Sequence, residues 1–302
     1  MLCYYCLKLI EVHDSIHHGL HEKCFLEWFD LDKAMEFDQV VVKNTSQLTG
    51  SGLFSKTNSS FYVGMFKKYS AELGEHSYIL KVRMDEYPEL PMAEYLCNQI
   101  ARDAGLEIPE FYLINFGGIP TFVSRNFVSK KRAENLVHIY RYLPKEEDSY
   151  NCEKIIDIIE KETKRPSDVR RFIEVCLFDA LIGNHDRHGR NLGILETSAE
   201  KRLAPFYDNP SNLGIEDEKL LSALLSPRGK IATHETKEPT LRHYVREFIR
   251  LSHGESVRRF STRLHLEKVL ERVHRSFIGE ARKKAFKRLI CERYEEMIHE
   301  LK

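Results

Sequence analysis

Leu181–Leu195, LIGNHDRHGRNLGIL, followed by Leu203–Asp208, LAPFYD, decides how this chain is read. Asp186 stands five residues before Asn191, and two apolar runs, Leu192–Leu195 and Leu203–Tyr207, then flank a polar turn and end in a second aspartate. The pattern predicts a β-hairpin. In an antiparallel hairpin the residue before the first strand and the residue after the second lie side by side at the open end. Asn191 and Asp208, 17 positions apart, are therefore expected to meet around one hard cation, with Asp186 on the preceding loop. Phosphoryl transfer uses that layout: one carboxylate takes the proton of an attacking hydroxyl, while an amide oxygen and a second carboxylate hold magnesium against nucleotide phosphates. Aspartate and asparagine also cap turns, and a lone D-x-x-x-x-N is ordinary loop chemistry. Three coinciding features favour catalysis here.

Around Asp186, the residues His185, Arg187, His188 and Arg190 form a dense polar cluster in which Arg190 or His188 is placed to stabilise charge on the transferred group. Upstream, Gln39–Lys43, Ser60–Phe66 and Tyr78–Met84 read as strands, and alternation puts Lys81 on the more polar face of the third. Pro91 opens a helix over Met92–Ala104, with Glu94 in its first turn and Gly105 as its stop. Phe111–Asn115 and Thr121–Ser124 complete a five-stranded, mainly antiparallel lobe. The loop Thr49–Lys56, TGSGLFSK, carries Gly50 and Gly52, which let backbone N–H groups approach anionic oxygens. Taken alone, Lys81 is an ordinary solvent-facing lysine; beside the hairpin it becomes the natural phosphate cation, oriented by Glu94.

From about Leu136 the period becomes helical, over Cys152–Thr163, Ser167–Ile182, Thr240–Ser252, Leu266–Val273 and Ile278–Leu301. The expected fold is α+β and kinase-like in its two lobes: a segment 1–38, a β-rich nucleotide-binding lobe 39–130 and a helical catalytic lobe 131–302.

Composition narrows the function classes. Of 302 residues, 42% are apolar, enough for a substantial core, and 46 basic against 46 acidic residues give no general attraction to nucleic acid or anionic membrane. Val273–Arg288 is locally basic and reads as a solvated helix face. No apolar run reaches the ~18 residues of a membrane helix, and the N-terminus does not resemble a secretory signal, so a cytoplasmic location is expected. Seven cysteines, an odd number, suit a reducing compartment. Cys3 and Cys6 form a C-x-x-C, and His21 and Cys24 an H-x-x-C fourteen residues on, which together can hold a structural zinc ion. His13, His17 and His18 compete with His21 as the nitrogen ligand, and three ordinary thiols stand as the equal alternative.

GNHDRHGRN, LAPFYD, the strand Ile79–Leu80–Lys81 and the helix MAEYLCNQIARDAGLEIPE together resemble HipA-type serine/threonine kinases, the toxins of bacterial toxin–antitoxin systems, over roughly residues 40–210. The resemblance implies ATP and magnesium as cofactors, Asp186 as catalytic base, Asn191 and Asp208 as magnesium ligands, Lys81 as the ATP lysine and Glu94 as its partner. It makes Thr49, Gly50, Ser51, Gly52 and Lys56 a phosphate-covering loop that is autophosphorylated on Ser51 first or Thr49 second, a charge that opposes nucleotide phosphates. Val123 and Arg125 fall in the adenine-contacting stretch, where the family commonly reads V-E-R-F-D and this chain reads VSRNF. The N-terminal cysteine segment is similar to one found ahead of some HipA-like domains. Expected partners are a protein substrate such as an aminoacyl-tRNA synthetase, a helix-turn-helix DNA-binding protein, and, as in the short HipT kinases, a small antitoxin-like protein supplying the missing first N-terminal subdomain. Competing readings are a lipid or small-molecule kinase, a metal-dependent phosphohydrolase built on His185, Asp186, His188, Asp208 and His234, and a non-catalytic pseudokinase or interaction module.

Overall fold

The computed structural model describes residues 1–42, 66–128, 133–143, 150–222 and 226–302. The chain opens with a small antiparallel hairpin, β1 (Ile16–His17) and β2 (Leu20–His21), which runs directly into α1 (Glu22–Phe29). Gly19 turns the hairpin at φ +76°, and a Cβ there would lie 2.5 Å from the Asn115 amide nitrogen. The hairpin is that closely pressed onto the neighbouring sheet, where Asn115 N donates to His18 O at 2.8 Å.

That sheet contains β3 (Asp38–Val42), β4 (Lys67–Leu73), β5 (His76–Val82) and, after the helix α2 (Leu90–Asp103), β6 (Phe111–Phe116) and β7 (Ile119–Arg125). All pairs are antiparallel, in the order β3-β4-β5-β7-β6. The two-residue period of the strands sorts the side chains onto two faces. Ala71, Leu73, Tyr78, Leu80, Tyr112, Ile114 and Val123 face outward and bury Phe25, Phe29 and Phe37 of the N-terminal segment. Leu113 and Phe122, with Phe111, pack on the inner side against Tyr95 of α2. Lys81 is out of step with Leu80, so it points inward and is 4% exposed.

The second lobe starts with β8 (Asn135–His138), α3 (Cys152–Thr163) and α4 (Pro166–Ile182), followed by β9 (Gly193–Glu196) and β10 (Lys201–Leu203). α5 (Glu218–Leu221), α6 (Leu241–Arg250), α7 (Gly254–Arg263), α8 (Leu266–Arg275) and α9 (Glu280–Glu300) complete it. α4 is the axial helix, buried almost all round, and Ala93, Leu96, Cys97 and Ile100 of α2 join its core. α2 thus belongs to both lobes. No helix among the described residues is long and apolar enough to cross a membrane.

Two expectations change, one strand was not anticipated, and the glycine loop lies outside the described residues. The second strand of the sheet is Lys67–Leu73; the expected Ser60–Phe66 lies outside the described residues except for Phe66. The loop Thr49–Lys56, with Ser51, lies outside them entirely. The hairpin forms, but its second strand is Lys201–Leu203 and stops before Tyr207, because side chains take the carbonyls that would continue the ladder. Arg171 binds Leu203 O and Ala204 O at 2.9 and 3.1 Å, and Arg187 binds Tyr207 O at 2.7 Å. Finally, the basic stretch Val273–Arg288 is no single helix, since α8 ends at Arg275 and α9 begins at Glu280.

Candidate active site

α4 ends at Gly183, whose φ of +72° caps the helix and whose missing side chain admits Leu289 and Pro227, both within 3.0 Å of where a Cβ would sit. The loop that follows is held by its own polar side chains. Asn184 Oδ1 accepts from Asp186 N at 3.0 Å, His188 N donates to Asp186 O at 2.7 Å, and Asn191 Nδ2 donates to the same carbonyl at 3.1 Å. With its nitrogen used in this way, the Asn191 amide keeps its oxygen for a ligand.

At the centre lies Arg187, fully buried, with all five donors committed. Nε and Nη2 grip Asp179 of α4 at 2.7 and 3.0 Å, Nη1 binds Asn191 O at 2.9 Å and Tyr207 O at 2.7 Å, and Nη2 also reaches Asn209 Oδ1 at 2.6 Å. One guanidinium therefore ties the residue flanking the first hairpin strand to the residue before Asp208. Asn209 Nδ2 continues to Asn98 Oδ1 at 3.0 Å, and Asn98 Nδ2 to Glu94 O at 2.8 Å, which connects the network to α2.

Asp208 itself has φ +54°, a left-handed conformation aspartate tolerates better than most residues. Its carboxylate meets the other lobe: Lys81 Nζ lies 2.5 Å from Asp208 Oδ1 and 2.5 Å from Glu94 Oε1, and Lys68 Nζ stands 3.9 Å from Asp208 Oδ2. Burial alone would raise the Asp208 pKa, but the Lys68 and Lys81 ammonium groups hold it far below the usual carboxylate range. For Lys81, burial works against the charged form and is outweighed by Asp208 and Glu94, so its pKa is raised. Burial pushes Glu94 upward despite Lys81. The structure brings Lys81, Glu94 and Asp208 into direct contact and sets Asp186 and Asn191 on the same Arg187-held framework.

Other expected residues fall differently. Val123 is buried in the outer core, and Arg125 pairs with Glu110 at 3.0 Å while its backbone N–H is taken by Glu110 O at 2.8 Å. Strand alternation turns both side chains to the face opposite Leu113 and Phe122. Phe127, two residues on, instead lies 5.3 Å from the Tyr207 ring. Arg190 holds its guanidinium 5.8 Å over the Tyr140 ring. His188 is buried; its Nδ1 accepts from Arg190 N at 3.0 Å, which leaves Nε2 protonated 3.9 Å from Asp186 Oδ2. Burial pushes its pKa down to about 4, so the ring is neutral rather than cationic near pH 7.

Asp179, Asn98 and Asn209 were not anticipated. A signal existed for Asp179, a lone acid in the apolar run Val175–Ile182, and for Asn209, adjacent to Asp208; Asn98 carried none.

At the N-terminus, the ligand atoms of Cys3, Cys6, His21 and Cys24 lie within 4.8 Å of one another. His21 Nδ1 is 3.4 Å from Cys6 Sγ and 3.8 Å from Cys24 Sγ, bracketing the roughly 3.5 Å N–S edge of a tetrahedral zinc site. Its Nε2 faces Asp14 Oδ2 at 3.3 Å, the carboxylate support usual for a metal-bound imidazole. His17 and His18 turn instead to Glu36, at 3.6 and 3.1 Å, and His13 to Glu11.

Residues 48–294 match the HipA-like C-terminal domain. The chain belongs to this family. Among solved structures it is similar to a HipA-like fold and its relatives at the level of architecture. The Helicobacter pylori proinflammatory kinase CtkA superposes with a TM-score of 0.65 at 19% identity, over 78% of this chain and 92% of that one. HipA of Shewanella oneidensis MR-1, solved in complex with HipB and operator DNA, superposes with a TM-score of 0.58 at 12% identity, over 86% of this chain and 72% of that one. The fold is thus protein-kinase-like. A Haemophilus influenzae protein named "Putative kinase" is 28% identical over 151 residues, 44% of each chain. The chain spans less than half the length of the curated relatives it matches, between 37 and 44%.

Proposed function

We propose that this HipA-like domain is an ATP- and magnesium-dependent serine/threonine protein kinase. The observation that carries the reading is the contact of Lys81 with both Glu94 and Asp208, reached from opposite lobes, beside Asp186 and Asn191 on a loop fixed by Arg187. Asp208 and the Asn191 amide oxygen are hard donors that suit magnesium, and Lys81 suits nucleotide phosphates. When bound, the metal neutralises phosphate charge; the protein orients the rest. Asp186, whose backbone N–H is held by the Asn184 side chain, accepts the proton of the attacking hydroxyl. Glu94 holds Lys81 for the phosphates, and Asp208 would be the carboxylate available to a metal.

The loop Thr49–Lys56 completes the reading as phosphate cover and as acceptor, Ser51 before Thr49. Protein targets such as an aminoacyl-tRNA synthetase, a helix-turn-helix DNA-binding partner and a small antitoxin-like protein belong to the same proposal; the Shewanella relative's complex with HipB and DNA supports the second. So do a cytoplasmic site of action and a structural zinc ion on Cys3, Cys6, His21 and Cys24, for which the ligand spacing and Asp14 argue. A phosphohydrolase reading leaves the buried Lys81 without a task.

Incubation with ATP and magnesium tests the kinase reading. Mass spectrometry should find phosphate on Ser51 or Thr49 and none in the Asp186→Asn or Asp208→Asn variants; equal labelling of those variants would remove both residues from the mechanism.

A further inference from the structure

Two adjacent imidazoles, His17 and His18, stand at the turn of the N-terminal hairpin, and the cysteine cluster uses neither. Their rings meet edge to face with centroids 4.6 Å apart, and both lie against the Phe25 ring, at 4.3 and 5.5 Å. His18 has φ +46°, its carbonyl is held by Asn115 N, and its ring is walled by Phe25, Phe37 and Phe116. Opposite the two rings runs the link into β3, which presents Met35 O and the Glu36 carboxylate to them.

The donor atoms converge. His17 Nε2 lies 2.8 Å from Met35 O and 3.6 Å from Glu36 Oε1, while His18 Nε2 lies 3.1 Å from Glu36 Oε2. Ligand atoms of the three side chains all fall within 4.8 Å of one another. Donors bound to one zinc-sized ion stand roughly 3.0–3.5 Å apart, so the separations around Glu36 bracket the edges of a coordination shell. Protons serve the group poorly, because one ring N–H satisfies one acceptor and Met35 O takes that of His17. His18, its side chain 9% exposed, has an Nε2 that makes no hydrogen bond among the described residues despite its nearness to Glu36. A buried nitrogen in that state calls for an ordered water or an ion.

We propose that His17, His18 and Glu36 form a second metal site, distinct from the cysteine cluster, for a divalent first-row transition ion such as zinc. Imidazole nitrogen and carboxylate oxygen suit that class of ion, and Met35 O is placed as a fourth donor. On binding, each Nε2 gives its lone pair to the ion and the His17 Nε2 proton leaves to solvent. The consequence is mechanical. β3 and β6 are opposite edges of the sheet, and the hairpin already holds β6 through Asn115. An ion on Glu36, two residues before β3, fastens the hairpin to the other edge as well.

Cobalt(II) titration of the untagged, chelator-treated full chain provides the test, since cobalt–thiolate bonds absorb intensely in the near ultraviolet and imidazole–carboxylate sites do not. Wild type should bind one equivalent beyond the amount that the thiolate band counts, whether or not the cysteines take metal. Glu36→Gln and His17→Gln should each weaken that equivalent by about a hundredfold or more and leave the thiolate band unchanged. Melting curves in chelator should coincide for wild type and Glu36→Gln, and added zinc should raise the wild type further. Should one variant melt low, the other and the wild-type count decide. Cobalt bound only to the extent of the thiolate band overturns the site, as does an additional equivalent that both variants keep at wild-type affinity.

Discussion

Arg187 and Asp179 form a buried bidentate ion pair, Nε to Oδ2 at 2.7 Å and Nη2 to Oδ1 at 3.0 Å, and every remaining donor of that arginine holds a piece of the site. Breaking such a pair leaves an uncompensated charge in the interior. Arg187→Met should therefore destabilise the protein by about 3–5 kcal/mol. Arg187→Lys should do little better, because an ammonium has three donors and no planar fork. In urea unfolding, Asp179→Asn combined with Arg187→Met should cost less than the sum of the two single changes. An Arg187→Lys protein within about 1 kcal/mol of wild type would show that the fork geometry is dispensable.

Lys81 is the shared cation of two carboxylates. Lys81→Met leaves Glu94 and Asp208 facing each other, with Lys68 3.9 Å from Asp208. The expected loss is about 3 kcal/mol. Adding Glu94→Gln should return much of that stability, since one buried charge is gone, but should return none of the nucleotide affinity. Urea unfolding and nucleotide titration of the single and double variants separate the two effects. Affinity that recovers along with stability would make Lys81 a structural residue alone.

The sequence was legible where periodicity and chemistry coincide. Lys81, Glu94, Asp186, Asn191 and Asp208 could be picked out because strand alternation, a helix start and a hairpin each impose a register. Cys152–Thr163 was read to the residue for the same reason. Illegible were the features set by tertiary contacts. β10 ends early because Arg171 and Arg187 take its carbonyls, and β8 pairs with β9 across more than fifty residues of chain. The motif over Val123 and Arg125 likewise did not reveal which way their side chains turn. Which face of β7 meets the cleft depends on the N-terminal aromatic cluster, Phe25, Phe29 and Phe37, that covers the other.

Trp28, the chain's one tryptophan, reports on the N-terminal cap. It lies 5.2 Å from Tyr5 and 5.4 Å from Tyr112, on the helix that follows His21 and contains Cys24. Protein grown with zinc should carry one zinc ion per cysteine cluster. Chelation, or Cys24→Ser, should release it and shift Trp28 emission to the red, because folding of the segment and metal binding are linked. Far-ultraviolet circular dichroism, dominated by the helical lobe, should change little. Zinc absent by elemental analysis, or an unmoved Trp28 spectrum after its removal, would leave the four side chains as ordinary packing groups.

Acid should weaken the fold through its buried histidines. Burial lowers the pKa values of His188, to about 4, and of His138, His185 and His18. In the unfolded chain these rings titrate near pH 6.5. Above that value both states are neutral and the stability is fully present. As pH falls from about 6.5 toward 4, the unfolded chain takes up protons that the folded chain refuses, and stability declines. His188 alone accounts for about 3 kcal/mol over that window, and protonating it also costs the Arg190 N–H its acceptor, His188 Nδ1, at 3.0 Å. Glu94, raised by burial, acts in the opposite sense, so the comparison has to isolate the histidine. Urea unfolding of wild type and His188→Gln between pH 7.5 and 4.5 does so: the wild-type stability should fall more steeply. Parallel curves would mean that His188 accepts its proton inside the folded protein as readily as outside it.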